Sequence, residues 1–228
     1  RKVLSSTRLS SNLVDSYGRT HTYLRMSLTE RCNLRCTYCM PEGGVSLTPS
    51  ERLLTLGERK RLLDFFVDQG VSKIRFTGGE PTISKDLLPL VAHAAADPRV
   101  KEVCMTSNGV LLQDRLDDLK AAGLTSANIS LDTLVPEKFA KISRRNSRTL
   151  ERILRAVRSA VQSGLRIKLN CVLVRGVNDD EIVDFVSLTR DAPLDVRFIE
   201  LMPFGGNQWE RRKMLRSAEV RAILLHGG

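Results

Sequence analysis

The chain has 228 residues, of which 42% are hydrophobic and 27% are charged, so a disordered, collagenous or low-complexity protein is excluded. Charged residues interrupt every apolar stretch before the ~20 residues that a membrane-spanning helix needs, which excludes a membrane-spanning protein. The 36 Lys and Arg outnumber the 26 Asp and Glu, and this formal charge of +10 favours an anionic partner. Because aromatic residues make up only 5%, too few for the stacking platforms of a single-strand binder, nucleic acid is the weaker choice.

Apolar, β-rich segments alternate along the chain with segments whose apolar residues recur at helical spacing. Strands are predicted at Tyr23–Leu28, Lys73–Thr77, Glu102–Thr106, Ala127–Leu131, Ile167–Val174 and Val196–Met202. Gly70, Gly123 and Gly164 each follow a helical run, where a left-handed cap ends a helix. Six βα units predict an α/β fold with a parallel sheet, either doubly wound or an incomplete barrel, and its site is expected at the carboxyl ends of the strands.

Three cysteines directly follow the first predicted strand, with the spacing C-x3-C-x2-C: Cys32, Cys36 and Cys39. An odd number of unevenly spaced cysteines suits a metal site in a reducing compartment better than a disulfide framework. A structural zinc would need a fourth ligand, and the nearest histidine, His21, has no matching spacing. Three thiolates fit a [4Fe-4S] cluster with one open iron. Cys104 and Cys171 lie in apolar strands and are predicted to be buried thiols.

A glycine pair with an acid, Gly78-Gly79-Glu80, follows the second predicted strand. Glycines at a strand end allow a backbone to approach a ligand closely, although a plain turn explains them as well.

Five cations lie on or beside predicted strands: Arg25, Lys73, Arg75, Lys168 and Arg197. An inward-pointing charge is costly unless it meets an anion or a counter-charge, so these residues are candidate anion contacts. Solvated edge residues and structural ion pairs are the alternative interpretation.

The cysteine spacing, with an aromatic residue before the last cysteine, resembles the signature of the radical S-adenosylmethionine (SAM) superfamily, and Gly-Gly-Glu resembles its second motif. The segments at 24–27, 105–109, 128–132, 168–170 and 197–203 resemble, in this order, the GTP 3′,8-cyclases of molybdenum cofactor biosynthesis. The similarity runs from about residue 13 to residue 214. It implies the partial (βα)6 TIM-like barrel of the radical SAM type.

The resemblance also implies a role for individual residues. Cys32, Cys36 and Cys39 would hold the [4Fe-4S] cluster; Tyr38, Gly79, Glu80, Ser130 and Met202 would bind SAM; Arg25, Arg75, Thr106 and Lys168 would bind GTP, with Lys73 and Arg197 in the same pocket. In the family, reductive cleavage of SAM yields a 5′-deoxyadenosyl radical. That radical takes a hydrogen from C3′ of GTP, and the ribose radical attacks C8 to give (8S)-3′,8-cyclo-7,8-dihydroguanosine 5′-triphosphate.

The same resemblance implies a flavodoxin or ferredoxin electron donor, a homodimer and a downstream cyclic pyranopterin monophosphate synthase, with neither membrane nor nucleic acid as partner. It implies an intracellular, reducing location, which is the cytoplasm for a bacterial protein and the mitochondrial matrix for a eukaryotic one. The expected domains are an N-terminal extension (1–22), a core barrel (23–215) and the start of a truncated C-terminal region (216–228).

Enzymes of this family carry a second [4Fe-4S] cluster on a C-terminal extension, whereas here no cysteine follows Cys171, so the ligands of that cluster are absent. If the chain is complete, we expect SAM cleavage but poorly anchored guanine and impaired cyclisation. The alternatives are a radical SAM enzyme with another substrate, such as a peptide maturase, and a non-catalytic Fe-S carrier or regulatory fragment. A GTP-binding regulatory protein is less attractive because the sequence has no G-x4-G-K-[ST] loop.

Overall fold

The fold is described here from a computed structural model, which covers residues 13–203 and 209–226. Six parallel strands form one sheet and follow one another in chain order: β1 (Tyr23–Ser27), β2 (Lys73–Thr77), β3 (Glu102–Ser107), β4 (Ser126–Ser130), β5 (Arg166–Leu173) and β6 (Leu194–Glu200). The strand order never reverses, which excludes the doubly wound alternative. The sheet is open between β1 and β6, so the prediction of a partial (βα)6 barrel is confirmed.

Helices connect the strands and cover one face of the sheet. They are α1 (Leu56–Asp68), α2 (Leu87–Ala96), α3 (Leu112–Ala121), α4 (Pro136–Ser143), α5 (Arg148–Gln162), α6 (Ile182–Asp191) and, after β6, α7 (Ser217–His226). Alternate strand residues such as Ile74, Phe76 and Ile129 are fully buried in the core that these helices share with the sheet. The short helix α4 was not predicted. The predicted caps Gly70, Gly123 and Gly164 all have positive φ, which confirms where their helices end.

The other strand residues form the second face of the sheet, here called the inner face. Because side chains alternate along a strand, Lys73 and Arg75 project away from the core that holds Ile74. The strand register then extends this face across the sheet: Arg25 pairs with Arg75, Thr106 with Asn128, Asn128 with Lys168, and Asn170 with Arg197. The inner face is therefore mostly polar, in contrast to the face beneath the helices.

The predicted domain boundaries stay a prediction. Leu215 is buried in the core and α7 packs against α6, so the chain after β6 returns to the barrel. Residues 1–12 of the predicted N-terminal extension and residues 227–228 of the predicted C-terminal region lie outside the described part. Among the described residues, no helix is long and apolar enough to span a membrane.

Candidate functional site

The loop after β1 carries the three clustered cysteines and is here called the cysteine loop (residues 28–40). The amides of Cys39 and Met40 both donate to the Cys36 carbonyl at 2.9 Å, which makes a tight turn between the last two cysteines. Burial raises the pKa of the Cys36 thiol, and the nearby charges of Asp132, Cys39 and Cys32 raise it further. Burial also raises the pKa of Cys39, again with Cys32 contributing. The three thiols therefore share one electrostatic environment.

The donor set at this loop suits a cluster better than a single ion. Within the described residues, no three His, Cys, Asp or Glu side chains converge on one metal ion. A [4Fe-4S] cluster distributes its thiolates over different irons, so its ligands need not converge on a point. Two donors also face the Cys32 sulfur, the Leu34 amide at 3.4 Å and Asn108 Nδ2 at 3.8 Å, and hydrogen bonds to sulfur are typical of Fe-S sites.

The Gly-Gly-Glu segment packs its backbone directly against the cysteine loop. The Gly79 amide donates to the Thr29 carbonyl at 2.6 Å, and the Glu80 amide donates to the Arg31 carbonyl at 2.8 Å. A Cβ added at Gly79 would lie 2.2 Å from the Arg31 carbonyl oxygen. At Gly78 the φ of 151° and a 2.5 Å approach to the Thr29 oxygen exclude a side chain as well. Contact between two loops is therefore enough to require both glycines, and the SAM contact at Gly79 stays a prediction.

The Glu80 side chain is completely buried at the junction of β2 and β3. One carboxylate oxygen accepts from the Thr82 amide (3.0 Å), the Thr82 hydroxyl (2.6 Å) and the Ser107 hydroxyl (2.8 Å). The other oxygen accepts from the Asn108 amide at 2.7 Å. These four donors make the carboxylate a tie between strand ends, and its predicted contact with SAM is untested.

Asn108 continues this tie from β3 to the cysteine loop. Its Nδ2 donates to Asn33 Oδ1 at 2.7 Å, directly beside Cys32. The sequence analysis used the segment 105–109 for the resemblance but assigned no role to Ser107 or Asn108. The signal was present, because both polar residues follow a buried strand.

Tyr38 fixes the other side of the cysteine loop through Asp132, at the end of β4. The Tyr38 hydroxyl donates to Asp132 Oδ2 at 2.6 Å, and the Val172 amide donates to Oδ1 at 2.9 Å. Burial raises the pKa of Asp132 to about 6, against the lowering effect of these two hydrogen bonds. The fully buried Asn178 donates to the carbonyls of Asp132 (2.7 Å) and Val172 (2.9 Å). Sequence analysis missed the roles of Asp132 and Asn178.

A cleft of about 530 Å³ opens beside this pair, and its walls include Tyr38, Met40, Asp132, Val172 and Trp209. Of the other predicted SAM residues, Ser130 is half-buried at the carboxyl end of β4, and Met202 is 61% exposed after β6. Both therefore lie on the side of the sheet that carries the cysteine loop, although neither role is tested.

All six predicted GTP residues lie on the inner face, where the structure brings them together. Arg75 is buried, and its guanidinium donates to the Tyr23 hydroxyl at 2.7 Å and to the Met105 carbonyl at 3.3 Å. Lys73 pairs with Glu102 at 2.9 Å, and Lys168 pairs with Asp195. Counted over the paired strands, the inner face carries six cations and two carboxylates: Arg25, Lys73, Arg75, Arg166, Lys168 and Arg197 against Glu102 and Asp195.

Two buried acceptors on the same face lack partners. The Oδ1 atoms of Asn128 and Asn170 make no hydrogen bond within the described residues, and Asn128 is only 5% exposed. An unpaired buried acceptor is unfavourable, so both atoms suit a polar ligand that supplies hydroxyl or amino donors. They lie beside Lys168 and Ser130 in the register, between the cations and the carboxyl ends of the strands.

Comparison with known proteins agrees with this arrangement. Residues 26–189 match the radical SAM superfamily. The chain is 52% identical over 213 residues to "GTP 3′,8-cyclase, mitochondrial" of Arabidopsis thaliana, covering 93% of this chain and 54% of that protein. It is 47% identical over 213 residues to a GTP 3′,8-cyclase of Peptoclostridium acidaminophilum, covering 92% of this chain and 65% of the relative.

The chain thus spans between about half and two thirds of the length of these two relatives. Among solved structures, SuiB of Streptococcus suis has the same fold, with a TM-score of 0.70 at 18% identity over 90% of this chain and 45% of SuiB. The family match covers most of the barrel and includes both the cysteine loop and the Gly-Gly-Glu segment. This chain belongs to the radical SAM superfamily.

Proposed function

We propose that this chain forms the catalytic core of a GTP 3′,8-cyclase, the lyase that converts GTP to (8S)-3′,8-cyclo-7,8-dihydroguanosine 5′-triphosphate for molybdenum cofactor biosynthesis. One observation carries the proposal: the inner face gathers all six predicted GTP residues beneath a loop with three clustered thiols. The names of the Arabidopsis and Peptoclostridium relatives support the same activity.

In this proposal Cys32, Cys36 and Cys39 hold a [4Fe-4S] cluster through its three protein-bound irons. When cluster and SAM are bound, they supply one-electron cleavage of SAM and the 5′-deoxyadenosyl radical that acts on the ribose. The SAM-binding assignments are Tyr38, Gly79, Glu80, Ser130 and Met202. Because the Tyr38 hydroxyl is occupied by Asp132, the backbone and ring of Tyr38 are the parts that we assign to SAM.

The inner face binds the triphosphate by charge. Six cations against two carboxylates leave an excess of positive charge on a partly enclosed surface, which favours a polyanion. Arg75 is already oriented by Tyr23 and the Met105 carbonyl, so little conformational freedom is lost on binding. Lys73 and Lys168 are each held by one acid, which a phosphate oxygen can replace as their partner.

The position of the cations along the strands sets the orientation of the nucleotide. Lys73 begins β2 and Lys168 lies in the first half of β5, whereas the cysteine loop follows the end of β1. Phosphates bound to those lysines therefore place the nucleoside toward the carboxyl ends. There Thr106 and the unpaired oxygens of Asn128 and Asn170 are available to its hydroxyl groups. Positioning the reacting carbon near the SAM side is the main contribution of the protein.

The proposal includes a flavodoxin or ferredoxin donor, a homodimer and a downstream cyclic pyranopterin monophosphate synthase as partners. The five free cysteines suit a reducing compartment, either the mitochondrial matrix or the bacterial cytoplasm. Because no cysteine follows Cys171, the proposal covers one cluster, SAM and the nucleotide, and does not include the family's second cluster.

The test is an anaerobic assay of the reconstituted protein with reductant and SAM, with 5′-deoxyadenosine measured in the presence of GTP, of ATP and of neither. We expect product formation that rises selectively with GTP and that is abolished by Cys36→Ala. Deoxyadenosine formation that ignores GTP would favour another substrate, such as a peptide. A reconstituted cluster that yields no deoxyadenosine under any condition would overturn the enzymatic proposal and leave an electron carrier.

A further inference from the structure

The carboxyl end of α4 is built against the cysteine loop. The Arg35 amide donates to the Ser143 carbonyl at 3.0 Å, and the Thr37 amide donates to the Ile142 carbonyl at 2.9 Å. The last carbonyls of a helix have no partner within the helix, so they need donors from outside. Here the backbone on either side of Cys36 supplies those donors.

Two consecutive arginines after α4 then reach back to the same loop. The Arg144 guanidinium donates to the carbonyls of Arg35 (3.2 Å) and Met40 (3.3 Å). Arg145 Nε donates to the Asn33 carbonyl at 2.7 Å, and its second nitrogen donates to the Arg144 carbonyl at 2.9 Å. Each carbonyl on the cysteine loop belongs to the residue directly next to a cysteine: Asn33 follows Cys32, Arg35 precedes Cys36 and Met40 follows Cys39.

The backbone of Arg144 shows that this geometry is imposed by its contacts. With φ 51° and ψ 42°, Arg144 is the one non-glycine residue of positive φ in the described ranges. A residue with a Cβ is strained in this conformation and keeps it only where the surrounding contacts determine it. The left-handed turn ends α4 and directs both arginines toward the cysteine loop.

We propose that Arg144 and Arg145 form an arginine clamp, a pair of positioning residues that fix the three thiols for the cluster and whose charge stabilises its reduced form. The inference rests on the proposed role of Cys32, Cys36 and Cys39 as cluster ligands. Hydrogen bonds and charges around an Fe-S cluster set its potential, and the groups that orient metal ligands set its retention. Reduction adds a negative charge to the cluster, which neighbouring guanidinium groups favour.

The experiment compares Arg144→Gln and Arg145→Gln with the wild type and with Arg148→Gln. Arg148 is an exposed arginine three residues away whose side chain makes no hydrogen bond or ion pair within the described residues, so it is the matched control. After anaerobic reconstitution, three quantities are measured: iron release to a chelator, the midpoint potential from an EPR-monitored titration, and the melting temperature of the cluster-free protein.

We expect iron release to be roughly tenfold faster in both clamp variants, with a midpoint potential shifted to more negative values and no change in the Arg148 variant. Arg145→Lys, which keeps the charge, should restore the potential more fully than the retention. Clamp variants that match the wild type in release rate and potential would overturn the proposal. So would a fall in the melting temperature without a change in either quantity. If the wild type itself takes up no cluster, the proposed function fails before any variant is compared.

Discussion

Glu80 offers the sharpest test of how the strand ends are held together, because its carboxylate is fully buried and accepts four hydrogen bonds. Glu80→Gln keeps the shape of the side chain but turns one acceptor oxygen into an NH2 group. In its better orientation, the amide oxygen keeps the three donors from Thr82 and Ser107. The NH2 group then faces the Asn108 amide, which was 2.7 Å from the lost oxygen.

This leaves two buried donors opposite each other. An unsatisfied buried donor costs about 1–3 kcal/mol, so we expect a loss of about 3 kcal/mol in the free energy of unfolding. For a chain of 228 residues, this loss lowers the melting temperature by roughly 6–12 °C. The change is large beside a total stability of about 5–15 kcal/mol.

The assay is thermal unfolding of the cluster-free protein by circular dichroism, with SAM binding measured on the reconstituted protein. Glu137→Gln is the control, because Glu137 is exposed and makes no hydrogen bond or ion pair in the described residues. If Glu80→Gln melts with the wild type and only SAM binding is lost, then the carboxylate acts on the ligand, and the tie between the strand ends does not carry the stability assigned to it.

Three further outcomes are expected. Gly79→Ala should lower the melting temperature at least as much as the glutamate substitution, because the new Cβ would lie 2.2 Å from a backbone oxygen; Gly43→Ala, which meets nothing within 4 Å, should melt like the wild type. Lys168→Gln should weaken GTP binding in calorimetry by about tenfold and GMP binding much less, since a charge-assisted phosphate contact is lost; equal losses would contradict that contact. Side-chain and backbone hydrogen bonds from Arg99 lower the pKa of Asp97 from 3.8 to about 2, so its stabilisation is present above about pH 4 and is lost as the pH falls toward 2. Asp97→Asn should flatten the acid limb of the stability curve in that window, and superimposable acid limbs for the two proteins would contradict this.

The sequence alone predicted all six strands, the helix caps at Gly70, Gly123 and Gly164, and the placement of the cysteines after β1. These features depend on local periodicity and on residue types whose backbone preferences are strong. It also selected the inner-face cations, because charged residues within apolar strands are conspicuous. The helix α4 was missed because its eight residues are too few for a helical pattern to stand out.

Only the tertiary structure decided how the site is held. The Asn108–Asn33 bond joins residues 75 positions apart, and the Arg145–Asn33 bond spans 112 positions. No spacing within the sequence encodes such pairs, since they depend on which strand ends and helix ends the barrel brings together. The same reason explains why Asp132 and Asn178 gave no signal beyond being polar. Sequence thus determined the elements and the chemical groups, whereas the closure of the barrel determined which groups meet.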